Sequence, residues 1–403
     1  MNASRARWRL IAPRMMLAGL MVSASVGQVH AQTQATAPPS APAPAAPAPS
    51  APAPSAPAPA AQQPGAAAQP ESGQWLSRTV DGIMGTRIFV EIWADDVAAG
   101  DAAIDAVMDE MRHIDDTMST YKPTSEVSRV NALAATQPVR ISRELFGLLE
   151  SALQYSRITE GAFDITYASV GYMYDFRQRK RPTEQQIAAA LPAVNYRHVL
   201  LDRKNSSVRF SQPGVRIDLG GIAKGFAVDQ GIAVLKARGY SHALVNAGGD
   251  SRVIGDRRGR PWIVGIRHPD HPDQIITRIP LVDEAFSTSG DYERYFDEDG
   301  VRYHHIIDPH TGHSASKVRS ATVIAPTATR TDGLSKTAFV LGPDEALRIY
   351  NRLDDVDAVL VAPDGRILYS RGLTPGDTPE AGTSPEGAPG AGTPGVGTPA
   401  QAH

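Results

Sequence analysis

The 403-residue chain is predicted to fold as α+β, with mixed or antiparallel sheets and packed helices. Two observations predict this. Asp299-Gly300 and Asp364-Gly365 each stand between strand-like runs, which is a hairpin signal. The helical periodicities come in separate blocks, not in the strand–helix alternation of a parallel sheet. No period of repeat-protein length recurs.

Taken in order, Thr86–Trp93 sets Ile88, Val90 and Ile92 against Arg87, Phe89 and Glu91, the period-2 pattern of a strand. Ile104, Val107, Met108, Met111, Ile114 and Met118 recur at helical spacing, and the methionines read as core filler. Ser142 can cap a helix running through Tyr155, with Gly161 at its stop. Thr183 and Gln186 form a capping-box pair. Val215–Ile217 reads as a strand feeding a helix over 221–238 that Gly239 ends. Tyr292–Asp297 and Val301–Asp308 flank one hairpin turn, and Ala358–Ala362 and Arg366–Ser370 the other.

The flanks are of different composition. Arg5, Arg7, Arg9 and Arg14 precede an apolar run over 15–26 and the small-x-Ala site Val29-His30-Ala31, so residues 1–31 read as a Sec-type signal peptide. That run is short for a membrane span, and periplasmic export is expected, an uncleaved inner-membrane anchor being the other reading. Residues 32–74 alternate Ala, Pro and Ser, and 374–403 repeat the theme with Gly, Thr and Pro. Both are expected to be disordered, because such segments bury too little apolar surface to offset chain entropy. The chemistry therefore belongs to 75–373. With Lys+Arg 40 against Asp+Glu 43, a nucleic-acid partner is not expected. The absence of cysteine excludes disulfides, Cys-ligated zinc, a thiol nucleophile and a lipidated anchor.

Five stretches are unusual for mere packing. Asp218-Leu219-Gly220-Gly221-Ile222-Ala223-Lys224-Gly225 opens a helix with glycines and a lysine, which suits a phosphate and equally suits a tight turn. It lacks Walker spacing. Val245 to Asp250 places paired glycines at a strand end, where a ligand or backbone could come close or a bulge could form. Phe286 to Tyr292 crowds hydroxyls into what reads as a turn. In His304-His305-Ile306-Ile307-Asp308-Pro309, strand alternation puts His305 on the face of Ile307. In Thr331-Asp332-Gly333-Leu334-Ser335-Lys336-Thr337, leading into a helix through Leu341, Asp332 is placed as an N-cap or as a hard-cation ligand.

In this order and spacing, with Met84-Gly85-Thr86, Ser119-Thr120-Tyr121, Ser125-Glu126…Asn131 and Gly161-Ala162-Phe163-Asp164, the chain resembles the ApbE family of FAD:protein FMN transferases. The resemblance covers nearly all of the central region. It implies an α+β fold of tunnelling-fold-like architecture. It also implies an exported, Mg²⁺-dependent enzyme that splits FAD, attaches FMN to a Ser or Thr hydroxyl of a client protein and releases AMP. Such clients are extracytoplasmic subunits of redox complexes. By the same resemblance, flavin and nucleotide contacts fall to Met84, Tyr121, Ala162, Phe163, Asp164, Asp218, Lys224 and Ile307. Mg²⁺ would be held by the Gly221 carbonyl and Asp332, and His305 would act on the acceptor hydroxyl. Apart from the resemblance, Asp308 is a candidate to orient His305, and Asp before Pro is equally a plain turn starter. One departure stands out: Lys336 occupies the position four after Asp332 where many members carry Thr. The favoured expectation is that Lys336 turns toward solvent or a phosphate and that Ser335 or Thr337 supplies the missing oxygen, the other reading being that metal binding is weakened. Two other readings use the same features, an Mg²⁺-dependent FAD pyrophosphatase and a non-catalytic periplasmic flavin-binding protein.

Overall fold

The computed structural model describes residues 73–373 except 270 and 272. The expected signal peptide, nearly all of the Ala/Pro-rich linker and the C-terminal tail lie outside the described residues. Only the linker's last residue changes its reading, since Gln74 already begins the first strand.

In chain order the strands are β1 (Gln74–Ile83), β2 (Thr86–Ala94), β3 (Val139–Arg140), β4 (Val199–Asp202), β5 (Ser207–Phe210), β6 (Ala243–Ala247), β7 (Asp250–Ile254) and β8 (Trp262–Arg267). They continue with β9 (Ile275–Leu281), β10 (Ala285–Gly290), β11 (Tyr295–Glu298), β12 (Val301–His304), β13 (Ser320–Ala325), β14 (Asp357–Val361) and β15 (Ile367–Tyr369). The helices are α1 (Val97–Met118), α2 (Glu126–Leu133), α3 (Arg143–Ile158), α4 (Ala168–Gly171), α5 (Glu184–Ala190), α6 (Ala223–Ala237), α7 (Ala328–Ser335), α8 (Thr337–Leu341) and α9 (Pro343–Tyr350).

Eight strands form one sheet in the order β1-β2-β6-β7-β10-β13-β14-β15, every neighbouring pair antiparallel. Alternation splits its side chains between two apolar layers. Ile88, Val90, Ile92, Val245, Val323 and Leu360 face the main core with α1, α6 and α7. Val253, Ile324 and Val359 face a smaller layer closed by Trp262, Ile266, Ile279 and Leu281 of the β8–β9 hairpin. The methionines of α1 are core filler as expected, Met108 and Met111 being fully buried. Ser142 caps α3 through Leu145 N–H, and Thr183 with Gln186 forms the expected capping box. Among the described residues no helix is long and apolar enough to cross a membrane.

Three expectations change. Val215–Ile217 joins no ladder. Its backbone bonds instead to the side chains of Asn131 and Ser169, so its strand-like pattern comes from side-chain brackets. Phe286 to Tyr292 is largely strand β10, and its hydroxyls reach neighbouring elements, not their own backbone. The late helix begins at Ala328, so Asp332 is an interior residue and not the N-cap. The capping is done from outside: the Asp229 carboxylate of α6 accepts from the N–H groups of Ala328 and Thr329 at 2.9 and 2.8 Å. Gly342, with φ +91°, stops α8, and Pro343 opens α9.

Candidate functional site

The site is assembled where α6 and α7 meet behind β7 and β10. Two glycine positions make this approach possible. A Cβ on Gly225 would lie 2.2 Å from the Ala328 carbonyl oxygen, and one on Gly249 would lie 2.4 Å from that of Thr288. Gly249 thus serves close approach of backbone to backbone, with Thr288 N–H donating to its carbonyl at 2.9 Å, while Gly248, at φ +63°, faces the Thr86 side chain.

Gly225 donates its N–H to the carboxylate of Asp332, which is fully buried. The other partners of that carboxylate are two ammonium groups. Lys224 Nζ lies 3.5 Å from Asp332 Oδ2 and donates to Asp250, which is buried at the start of β7. Lys336 Nζ donates to Asp332 Oδ1, to the Asp332 carbonyl at 3.0 Å and to the Gly221 carbonyl at 3.3 Å. Burial opposes the charged form of Asp332, but Lys224 and Lys336 outweigh it and hold the carboxyl below its ordinary range. Burial likewise works against the Lys224 ammonium, yet Asp250 and Asp332 hold its pKa above the usual lysine value. Asp250 is pushed up by burial and by the neighbouring Asp332 charge.

Lys336 therefore points inward, against the expectation that it would swing away. Of the two expected substitute ligands, Ser335 is committed, its Oγ bonding to the Asp332 carbonyl and to Ser289 Oγ, both at 2.9 Å, whereas the hydroxyl of Thr337, buried in α8, is not tied up in this way. A divalent ion does not fit this donor set. The Gly221 carbonyl and the Asp332 carboxylate converge on an ammonium, a second ammonium shares the carboxylate, and two positive charges would face the incoming metal. Among the described residues, no three His, Asp or Glu side chains gather as an alternative metal cluster.

The glycine turn closes on itself. Gly220 N–H donates to Asp218 at 2.7 Å, and the amides of Ile222 and Ala223 both reach the Leu219 carbonyl. Charge for an anion thus comes from lysine side chains more than from loop amides. Asp218 also accepts from Thr120 Oγ1 at 2.8 Å and from Tyr167 OH at 3.1 Å. Burial, with Asp218 beside it, pushes the Tyr167 phenol well above its usual value, so it stays a donor. The Phe163 ring packs against Gly221. Tyr121, next to Thr120, is 90% exposed. Met84 sits at the β1–β2 turn with φ +53°, and the next carbonyl, that of Gly85, accepts from Arg294.

His305 lies just beyond β12, so strand alternation does not decide its direction. Its backbone N–H donates to the Arg294 carbonyl at 3.1 Å, and its Nδ1 is buried without a hydrogen-bond partner among the described residues. Burial, then the charges of Arg294, His304, Lys336 and Lys224, push its pKa down to about 3. Its ring is therefore uncharged near neutral pH.

Other expected residues are engaged elsewhere. Asp308 does not orient His305; its carboxylate binds the backbone and ring of His310 at 2.8 and 3.0 Å. Asp164 accepts from Thr166 N–H, Thr166 Oγ1 and Tyr196 N–H, which makes it a buried bracket. Ile307 packs in an apolar cluster with Val170, Tyr174 and Ile187, and Ala162 lies in the main core. The structure adds residues that sequence reasoning passed over. Asp250 was read only as part of a glycine motif. Thr120, Tyr167 and Ser289 became relevant only through tertiary contacts. Arg294 carries no spacing signal at all.

The antiparallel α+β fold thus sets Lys224 and Lys336, each paired with a buried carboxylate, beside a glycine turn. Residues 84–360 match the model of the ApbE family, and the chain belongs to that family. It is 33% identical over 310 residues to the FAD:protein FMN transferase of Treponema pallidum, an alignment covering 72% of this chain and 86% of that one. It is 36% identical over 250 residues to the FAD:protein FMN transferase of Haemophilus influenzae, covering 59% and 72%. The crystal structure of the ApbE protein from Thermotoga maritima superimposes with a TM-score of 0.69 at 34% identity, covering 74% of this chain and 97% of that chain. The chain is accordingly an enzyme of the transferase class.

Proposed function

We propose that this enzyme transfers the FMN half of FAD to a Ser or Thr hydroxyl of a client protein outside the cytoplasm, with AMP as the other product. The observations that carry the reading are Lys224 and Lys336 gathered at the buried Asp332 beside the glycine turn, and a buried His305 whose backbone bonds to Arg294, within a chain of the ApbE family. A diphosphate brings negative charge that these groups can match, and hydroxyl attack needs a base beside it.

In the proposed step the acceptor oxygen attacks the FMN-side phosphorus. A new O–P bond forms, the bond from that phosphorus to the bridging oxygen breaks, and the bridging oxygen leaves with AMP. The hydroxyl proton passes to His305. In the ligand-free site burial, and after it the surrounding cations, make His305 a weak base. A bound diphosphate would offset those charges and raise its proton affinity when the hydroxyl is in place. Lys224, Lys336 and Arg294 supply the charge that steadies the phosphoryl oxygens as bonding changes, so binding and positioning account for most of the acceleration. No step is assigned to Mg²⁺, because the oxygens expected to hold it already surround Lys336.

Incubation of the enzyme with FAD and a flavinylation-competent client tests the reading. Fluorescent client on a denaturing gel, with AMP in equal amount, is the expected result. Free FMN and AMP without labelled client would identify hydrolysis instead.

A further inference from the structure

We propose that Lys336 is the resident cation of this site and that its ammonium takes the place of a divalent metal ion, so that the enzyme works without one. The inference rests on the flavin-transfer reading for its catalytic part. Its structural part stands on this chain's own geometry. The Lys336 ammonium receives three oxygens: the Gly221 carbonyl, the Asp332 carbonyl and the Asp332 carboxylate. Two of these, the Gly221 carbonyl and the Asp332 carboxylate, are the oxygens that the sequence resemblance assigned to a metal.

The arrangement is built into the local fold. Lys336 stands four residues after Asp332, the spacing that puts both on one helix face. Lys336 is also where α7 gives way to α8, so the break in the helix falls at this residue. Its side chain then passes close to Gly221, where a Cβ would meet Lys336 Cε at 3.8 Å. Of the two neighbours that could have offered oxygen, Ser335 is tied to β10 through Ser289, and the Thr337 hydroxyl is buried in α8 with no bond to Gly221 or Asp332.

The charge relationships favour an ammonium over Mg²⁺. One buried carboxylate, Asp332, contacts two lysines, and the second carboxylate, Asp250, is paired with Lys224. A divalent ion entering here would have to expel Lys336 from all three oxygens and remain beside Lys224. A tethered ammonium offers less charge than Mg²⁺, yet it is always present and loses little entropy when the ligand binds. Its three N–H donors are all engaged by these oxygens, so it meets a diphosphate through its charge, or by releasing a carbonyl while remaining anchored to Asp332.

The test compares the intact enzyme with Lys336→Thr and Lys336→Met, using Mn²⁺ as a paramagnetic probe and client labelling as the activity readout. The wild type is expected to bind no Mn²⁺ and to label client equally well with EDTA or with Mg²⁺. Lys336→Thr, which exchanges the ammonium for a hydroxyl, is expected to gain Mn²⁺ binding and to become sensitive to EDTA. Lys336→Met, which removes charge and adds no oxygen, is expected to lose about 10²–10³ in rate under both conditions. Saturable Mn²⁺ binding by the wild type, or arrest of its labelling by EDTA, overturns the proposal while leaving flavin transfer intact. If no preparation labels client, the transfer reading fails, and the Mn²⁺ titrations still decide the cation question. The wild-type measurements need no variant to fold.

Discussion

Gly225 donates its backbone N–H to the carboxylate of Asp332 at 3.1 Å, joining the first turn of α6 to the interior of α7. The bond exists because position 225 has no side chain, and α7 lies where a Cβ would otherwise be. Gly225→Ala is expected to force the helices apart at a cost of about 1–3 kcal/mol. Urea denaturation would read the loss of stability. FAD retention measured on the folded fraction would show whether the displaced Asp332 also loosens both lysines.

Asp332→Asn removes the buried charge that Lys224 and Lys336 share. Leaving the Lys336 ammonium without a carboxylate, while Lys224 keeps Asp250, should cost about 3–5 kcal/mol. The neighbouring Asp250→Asn should be milder, because Lys224 keeps Asp332 within 3.5 Å. Comparing the two denaturation midpoints tests that ranking. An Asp332→Asn variant as stable as the wild type would contradict the charge network described here.

His305→Ala is expected to retain FAD and to lower client labelling by about 10²–10⁴-fold. Titration of the flavin by fluorescence separates binding from transfer. Labelling at the wild-type rate would remove His305 from the proton-transfer role. Asp308→Asn, by contrast, should leave the rate nearly unchanged, since that carboxylate is bonded to His310.

His304 makes folding sensitive to acid. Its ring is 1% exposed, and Nδ1 accepts from Ile306 N–H. Burial is the main cause that pushes its pKa down to about 4. An unfolded histidine takes up its proton near 6.5. Between these values the unfolded chain binds more protons, so stability falls as pH drops through the window. The full contribution is about 3 kcal/mol. His304→Asn, which keeps an acceptor near the Nδ1 position, is expected to show a flatter loss of stability between pH 6.5 and 4 than the wild type.

Much of the architecture was legible because its causes are local. The β2 alternation, the α1 periodicity, the Thr183–Gln186 box and the Asp299-Gly300 turn, where both residues have positive φ, depend on a few neighbouring residues. Strand β1 was missed because it pairs as a solvated edge and lacks clean alternation. The cap of α7 was assigned to the wrong aspartate, because the true cap, Asp229, is 99 residues away from Ala328 in sequence.

The same division holds at the site. From the order of its residue types, the chain alone determined the α+β class, the family resemblance and the candidates Lys224, His305 and Asp332. Only tertiary structure decided which oxygens each cation meets. It turned Lys336 inward, gave Asp308 to His310 and Asp164 to a buried bracket, and brought in Asp250 and Arg294. The physical reason is that local pattern sets backbone geometry within a few residues. The partner of a buried charge is set by whichever opposite charge the packing of distant segments brings within a few ångströms.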